Sequence, residues 1–462
     1  MLARFAVTLV IAAALGAVFV DALCAGDRAV SIHRIAEAIQ KHIAHESERG
    51  NGHLHLEHEG KELLLKLVRV HMEYLADLGD GVQFACVDLI GTDGPVYDVD
   101  FFMKGSPGDM TVTETTVHKV NGQPLYTWEQ EETGIWKRVH LDNATPGLLG
   151  VVHGQDEFEF IYRVHLPKIS EEARIWIPLA QSGSGQTVDM NIVTPLPGRQ
   201  LSDSNYGNKV LFLTLGSQES DKTLEVQYHV KTTERAPYPA SEEESSRYTN
   251  PELLVPINDE FRDIAGMVTH DKATDLLRAR ALYDHVIDKF RYHKFGEGWG
   301  RGDAVYACSA RSGNCTDFHS YFMSITRAID IPARFVMGAA IPSERNDGGI
   351  DGYHCWSEFY ADGQWWPVDI SEAYKNSSLK TYYFGHQPAN RFTLSVGRDL
   401  MVDPGPMSGP INFLAFPIFE SGGEEIPVKT EFRFQRKRSG SSGKLPAIQG
   451  SRPSTGPSEK MD

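Results

Sequence analysis

A chain of 462 residues is too long for one hydrophobic core and has room for about three domains. With 41% hydrophobic and 23% charged residues it has the make-up of an ordinary globular protein, which excludes wholesale disorder and a polytopic membrane protein. Its 45 basic and 62 acidic residues give a net charge of −17, which repels phosphate backbones, so nucleic acid is excluded as an expected partner.

At the N-terminus Arg4 precedes the apolar run Phe5 to Val20, then Asp21 and the small-residue stretch Ala22-Leu23-Cys24-Ala25-Gly26. A positive start, an apolar middle and a small-residue end are the order of a secretory signal. Residues 1–25 are therefore expected to direct export to the periplasm or outside the cell and to be removed. An uncleaved anchor is the alternative, less favoured because the run is at the short end for spanning a bilayer. No later stretch is long and apolar enough to span, so no membrane partner is expected after cleavage. The mature chain then keeps Cys86, Cys308, Cys315 and Cys355, too few for a disulfide scaffold.

Ile35, Ile39 and Ile43 have helical spacing. Strand patterns follow at 53–56, 63–70, 82–90, 96–103 and 110–120, the last turning at Asn121-Gly122 into Leu125 to Trp128. Residues 26–145 thus read as an α+β domain of unknown role. Strands such as Phe158 to Tyr162 and Leu224 to Tyr228, separated by Gly, Pro, Asn and Ser clusters, predict a β-sandwich over 150–235. A polar, Pro-containing connector over 236–256 predicts a linker. From 257 to 436 helical spacing gives way to strands after Arg334, a further core with a C-terminal extension. Residues 437–462, rich in Ser, Gly, Pro and Lys, cannot bury a core and predict a disordered tail.

Chemistry concentrates between 313 and 369. In Gly313-Asn314-Cys315-Thr316-Asp317-Phe318-His319, Asn314 suits an N-cap and Asp317 sits where an acid closes the first turn. Cys315 is thereby placed at a helix start, where the helix dipole favours a thiolate. In Tyr353-His354-Cys355-Trp356-Ser357-Glu358-Phe359-Tyr360, alternation puts His354 on one strand face and Cys355 on the other, so Cys355 is expected to stand apart from the chemistry. A turn at Asp362-Gly363 leads to Trp366-Pro367-Val368-Asp369, and an antiparallel return brings Asp369 beside His354 to fix its tautomer. Singly, each residue has a bland reading as a buried thiol, a structural histidine or a cap. Their order and the strand-turn-strand spacing favour a joint role.

The block Gly313-Asn314-Cys315-Thr316-Asp317-Phe318-His319, Ile331-Pro332-Ala333-Arg334-Phe335, Tyr353-His354-Cys355-Trp356 and Pro367-Val368-Asp369 resembles the transglutaminase-like superfamily, including its bacterial exported members. The resemblance covers about residues 257–425. It implies an α+β papain/transglutaminase-like core, with a Cys-bearing helix packed on an antiparallel sheet bearing His and Asp. It also implies a triad of Cys315 as nucleophile, His354 as general acid and base, and Asp369 as orienter. Thiol-dependent acyl chemistry on a protein or peptide substrate would follow, ending in hydrolysis, deamidation or transfer to an amine. A catalytically silent binding or assembly module is the rival, and no triad member is missing. The oxyanion donor is expected to be the Cys315 N–H, with a second from the Gly-rich stretch 296–302, Trp299 or Tyr306 left open.

No cofactor and no metal are expected. His53, His55 and His58 cluster, but a solvated polar face is the favoured reading, and no CxxC or HExxH is present in the core. Cys308 and Cys355 are either a disulfide or two thiols. The first domain either shields the cleft or positions substrate.

Overall fold

The computed structural model describes residues 32–72, 75–79, 81–92, 94–106, 109–130, 136–140, 150–294, 297–350, 352–376 and 379–437. The expected signal and all of the expected tail except Lys437 lie outside them.

A helix over 32–49 opens the described chain. Its Ile35, Ile39 and Ile43 pack on Ala85, Val87, Leu89, Val99 and Phe101, one face of an antiparallel sheet. The strands are Leu54–His58, Lys61–Val70, Ala76–Gly79, Val82–Gly91, Val96–Ser106, Asp109–Val120 and Gln123–Pro124. Asn121 (φ 50°) and Gly122 (φ 79°) make the expected tight turn. The returning limb is shorter than expected, however. Only Gln123 and Pro124 pair back, and Tyr126–Gln130 pairs instead with Trp136–His140. One further link, from the Leu125 N–H to the His118 carbonyl at 2.8 Å, closes the Gln123–Pro124 pairing.

Two five-stranded sheets form a sandwich. Gln155–His165 alternates buried and partly exposed residues, and its Phe158, Phe160, Tyr162 and Val164 meet Ile175, Ile177, Leu211 and Leu213 across the interface. The boundaries differ from the expected ones. Lys429–Arg436 pairs with Gln155–His165, Ile418–Ser421 pairs with Ala173–Leu179, and Asp347–Ile350 adds at the edge. Phe432 and Phe434 explain this, because their alternate positions bury both rings in the sandwich core. Arg436 is fastened there by Asp156 at 2.9 Å.

The stretch expected to be a linker packs down as well. Tyr238–Pro239 joins the edge of the third five-stranded sheet, and Ser241 caps the short helix Glu242–Ser246. That sheet runs Tyr238–Pro239, Gln364–Val368, His354–Ala361, Ala333–Ala340 and Arg391–Val396. The helix Cys315–Arg327, buried along its whole length, lies on it, with Phe322 edge-on to Phe359 at 6.4 Å. Helices Asp259–Thr269 and Asp275–Lys289 complete this layer.

The amino-terminal sheet docks on the far side of this core. Asp88 meets Arg280 at 3.0 Å, Arg69 meets Asp284 at 3.4 Å and Lys66 meets Asp362 at 2.9 Å. None of these described contacts touches Cys315 or His354. No helix among the described residues is long and apolar enough to cross a membrane.

Candidate active site

Cys315 is the first residue of its helix. Asn314 accepts from the Thr316 N–H at 3.0 Å, and Asp317 accepts from the Asn314 N–H at 2.9 Å, completing a capping box. Asp317 also accepts from the Gly300 and Gly302 N–H groups at 2.7 and 3.1 Å. A single carboxylate therefore ties the glycine loop to the start of the Cys315 helix. Gly313 has φ +150°, and any side chain there would run into Asp317, so only glycine lets the chain enter the cap so closely. Arg398 clasps the loop from behind through the Gly302 carbonyl at 2.8 Å.

His354 begins the central strand and is paired through Ser357↔Val368 and neighbours with the strand that ends just before Asp369. Asp362 and Gly363, both at positive φ, form the connecting turn. His354 Nε2 lies 2.6 Å from Asp369 Oδ2, leaving Nδ1 for the hydrogen bond with the Cys315 thiol. Asp369 caps the short helix Ile370–Lys375, accepting from the Glu372 N–H at 3.2 Å and from Ser371 Oγ at 3.1 Å. Arg391, buried, reaches Oδ2, the oxygen that His354 also meets, at 3.3 Å. The structure thus brings Cys315, His354 and Asp369 together, with Cys315 3% exposed and His354 7%.

The charges follow from these contacts. Burial works against ionised Asp369, yet the charges of His354 and Arg391 hold it well below the usual carboxylate range. Burial likewise opposes a charged His354, but Asp369 and the hydrogen bond with Cys315 raise its pKa to about 9. The Cys315 thiol is pulled well below its ordinary value, first by a hydrogen bond with Cys355 and then, against burial, by His354. The arrangement favours a thiolate beside an imidazolium.

Cys355 therefore does not stand apart, as its strand face suggested. The helix packs over the Cys355–Phe359 face and sets Cys355 against Cys315, with its Sγ 3.8 Å from His319 Nδ1. Cys308 lies elsewhere, 3.7 Å from Glu260, and both are free thiols here.

Two further groups escaped the sequence reading. His319 accepts the Ile370 N–H on Nε2 at 3.0 Å, so its proton sits on Nδ1 and is donated to the Cys315 carbonyl at 2.7 Å. Burial lowers its pKa and keeps it neutral. It thus bridges the Cys315 helix and the start of the Ile370 helix. Its position four residues after Cys315, on the same helix face, was an available signal. Arg391 comes from a strand added beyond the hairpin; Asn390-Arg391 shares the family resemblance, but no local pattern gave it a role at the site. The Gly300 and Gly302 N–H groups are taken by Asp317, so they are not spare oxyanion donors. Far from this site, His55 is held by Glu62 at 2.8 Å and the Gly50 carbonyl at 3.1 Å.

Residues 262–370 match the sequence model of the Transglutaminase-like superfamily, a segment that contains all three of Cys315, His354 and Asp369. The core of this chain is transglutaminase-like. An uncharacterized protein of Haemophilus influenzae is 24% identical over 321 residues, covering 58% of this chain and 86% of that protein. A solved chain from Cytophaga hutchinsonii, provisionally described as a cysteine protease, is 14% identical with a TM-score of 0.43, covering 61% of this chain and 99% of that chain. The periplasmic domain of TgpA from Pseudomonas aeruginosa is 16% identical with a TM-score of 0.26, covering 49% of this chain and 92% of that one. The transglutaminase-like core has a mixed α+β, sheet-rich build, and the sandwich borrows four of its strands from residues 347–436.

Proposed function

We propose that the transglutaminase-like core is a thiol enzyme acting on peptide or glutamine amides, with Cys315 as nucleophile, His354 as acid and base, and Asp369 as orienter. The observation that carries this reading is the 2.6 Å His354–Asp369 bond, which leaves the other imidazole nitrogen to Cys315 at a helix start. The Cys315 thiolate attacks the amide carbonyl, and the Cys315 N–H, not engaged among the described residues, stabilises the oxyanion. His354 protonates the departing amine, and a thioester remains on Cys315. Water then yields hydrolysis or deamidation, and a primary amine yields transfer. The substrate is a protein or peptide, and the apolar run Phe5 to Val20 supports export as its setting.

The test is to incubate the protein with a glutamine peptide, with and without a primary amine, and to weigh the products. Ammonia release with the mass of the amine gained marks transfer, deamidation marks water as acceptor, and fragments mark a protease. Unchanged peptide across a panel of sequences, with Cys315→Ala indistinguishable from wild type, would favour a silent binding module.

A further inference from the structure

The amino-terminal sheet buries a second set of reactive side chains on the face turned away from its helix. Strands Val82–Gly91, Val96–Ser106 and Asp109–Val120 lie side by side. Cys86 stands opposite Asp100, Asp88 opposite Asp98, and Asp98 opposite Lys119. A register shift between Asp98 and Val99 makes His118 an extra residue between Val117 and Lys119. Such a bulge turns two successive residues toward one partner, so His118 and Lys119 both address Asp98.

The donor atoms of Cys86, Asp98, Asp100 and His118 all lie within 4.8 Å of one another. His118 Nδ1 is 3.7 Å from Asp98 Oδ1 and 3.7 Å from Asp100 Oδ2, and Cys86 Sγ is 2.8 Å from Asp98 Oδ1. Cys86, Asp98 and Asp100 are buried and His118 is partly so. Of the neighbouring charges, Asp88 has other partners and Lys119 pairs with the cluster itself. Asp88 is matched by His71 at 2.9 Å and by Arg280 at 3.0 Å, and Lys119 lies 2.9 Å from Asp98 Oδ2.

We propose that Cys86, Asp98, Asp100 and His118 bind one zinc-class divalent ion in a closed structural site. One thiolate, one imidazole and two carboxylates are a donor set for Zn²⁺, whereas Ca²⁺ and Mg²⁺ take oxygen alone. Zinc–ligand bonds of about 2.0 to 2.3 Å set tetrahedral neighbours roughly 3.3 to 3.8 Å apart, the separation His118 keeps from both carboxylates. The Cys86–Asp98 contact of 2.8 Å would open by about 0.7 Å on this geometry. Binding exchanges the Cys86 proton, released to solvent, for the metal. Three anionic ligands around a dication leave one negative charge, and Lys119 stands next to it. With all four positions filled by protein, the ion holds three strands together and does no chemistry at Cys315.

The test uses the full chain, stripped by a chelator and dialysed against Zn²⁺ or Co²⁺, with bound metal counted by mass spectrometry. Wild type and Cys315→Ala are expected to hold one ion per chain. Cys86→Ser is expected to lose the thiolate-to-cobalt charge-transfer absorption, and His118→Gln to bind Zn²⁺ about tenfold or more weakly. His118 is partly exposed, so His118→Gln carries the test if Cys86→Ser fails to fold. The proposal is overturned if folded wild type retains no ion. It is equally overturned if Cys86→Ser and His118→Gln hold the ion as tightly as wild type, or if Cys315→Ala alone loses it.

Discussion

Replacing Asp369 by Asn removes one negative charge from a position faced by both His354 and Arg391 while keeping the side-chain shape. His354 stands at about 9 against an ordinary 6.5 even though burial pushes the other way. At about 1.4 kcal/mol per tenfold, Asp369 and the Cys315 contact supply roughly 3 kcal/mol or more of preference for the imidazolium. Without the carboxylate, the imidazole should titrate at or below 6.5, because burial and Arg391 both act to lower it. The Cys315 thiolate then loses its cation near neutrality. We expect the His354 midpoint, followed by NMR, to fall from about 9 to 6.5 or lower in Asp369→Asn, and Cys315 alkylation at pH 7.5 to slow about 10- to 100-fold.

The same change bears on stability, where its sign depends on pH. His354, raised above 6.5, contributes stability that is whole below that pH and is lost as pH rises through about 9. Asp369, held below its ordinary 3.8, contributes stability present above that pH and lost on acidification. The wild-type advantage over Asp369→Asn, about 3 to 5 kcal/mol for a broken buried pair, should therefore narrow on both sides of neutrality. A folded Asp369→Asn protein whose His354 still titrates near 9 would refute the assignment of this charge.

Four other outcomes follow. In a timed alkylation read by mass spectrometry, Cys315 should react first and half-buried Cys308 more slowly, while Cys86 and Cys355, whose thiols burial pushes up, should react last. Cys355→Ala removes the hydrogen bond that lowers Cys315 most, so Cys315 labelling at pH 6 should slow while the melting temperature changes little. Asp317→Asn weakens three backbone hydrogen bonds to a carboxylate and should cost about 2 to 4 kcal/mol in chemical denaturation, with slower Cys315 alkylation. Arg280→Met leaves Asp88 with His71 as its remaining partner at the interface and should cost about 3 kcal/mol, part of it recovered by adding Asp88→Asn.

The parts of the site legible in the sequence are those made by neighbours along the chain. Asn314, Cys315 and Asp317 are a helix start written in four residues, and Asp362-Gly363 is a tight turn written in two. That turn fixes the antiparallel return, so His354 and Asp369, fifteen residues apart, come together with little help from the rest of the fold. Short-range sterics and capping decide such features almost alone.

Tertiary packing decided the rest. Strand alternation put Cys355 and His354 on opposite faces, but not which face the Cys315 helix would cover, and that choice brought Cys355 to the thiol. Arg391 arrives on a separate strand, and Phe432 and Phe434 return about 270 residues later to fill a sandwich begun at Phe158. Cys86, Asp98, Asp100 and His118 follow no spaced motif; strand register and one bulge alone gather them. Long-range contacts of this kind depend on which apolar faces find each other, and a local pattern reports that a face exists without naming its partner.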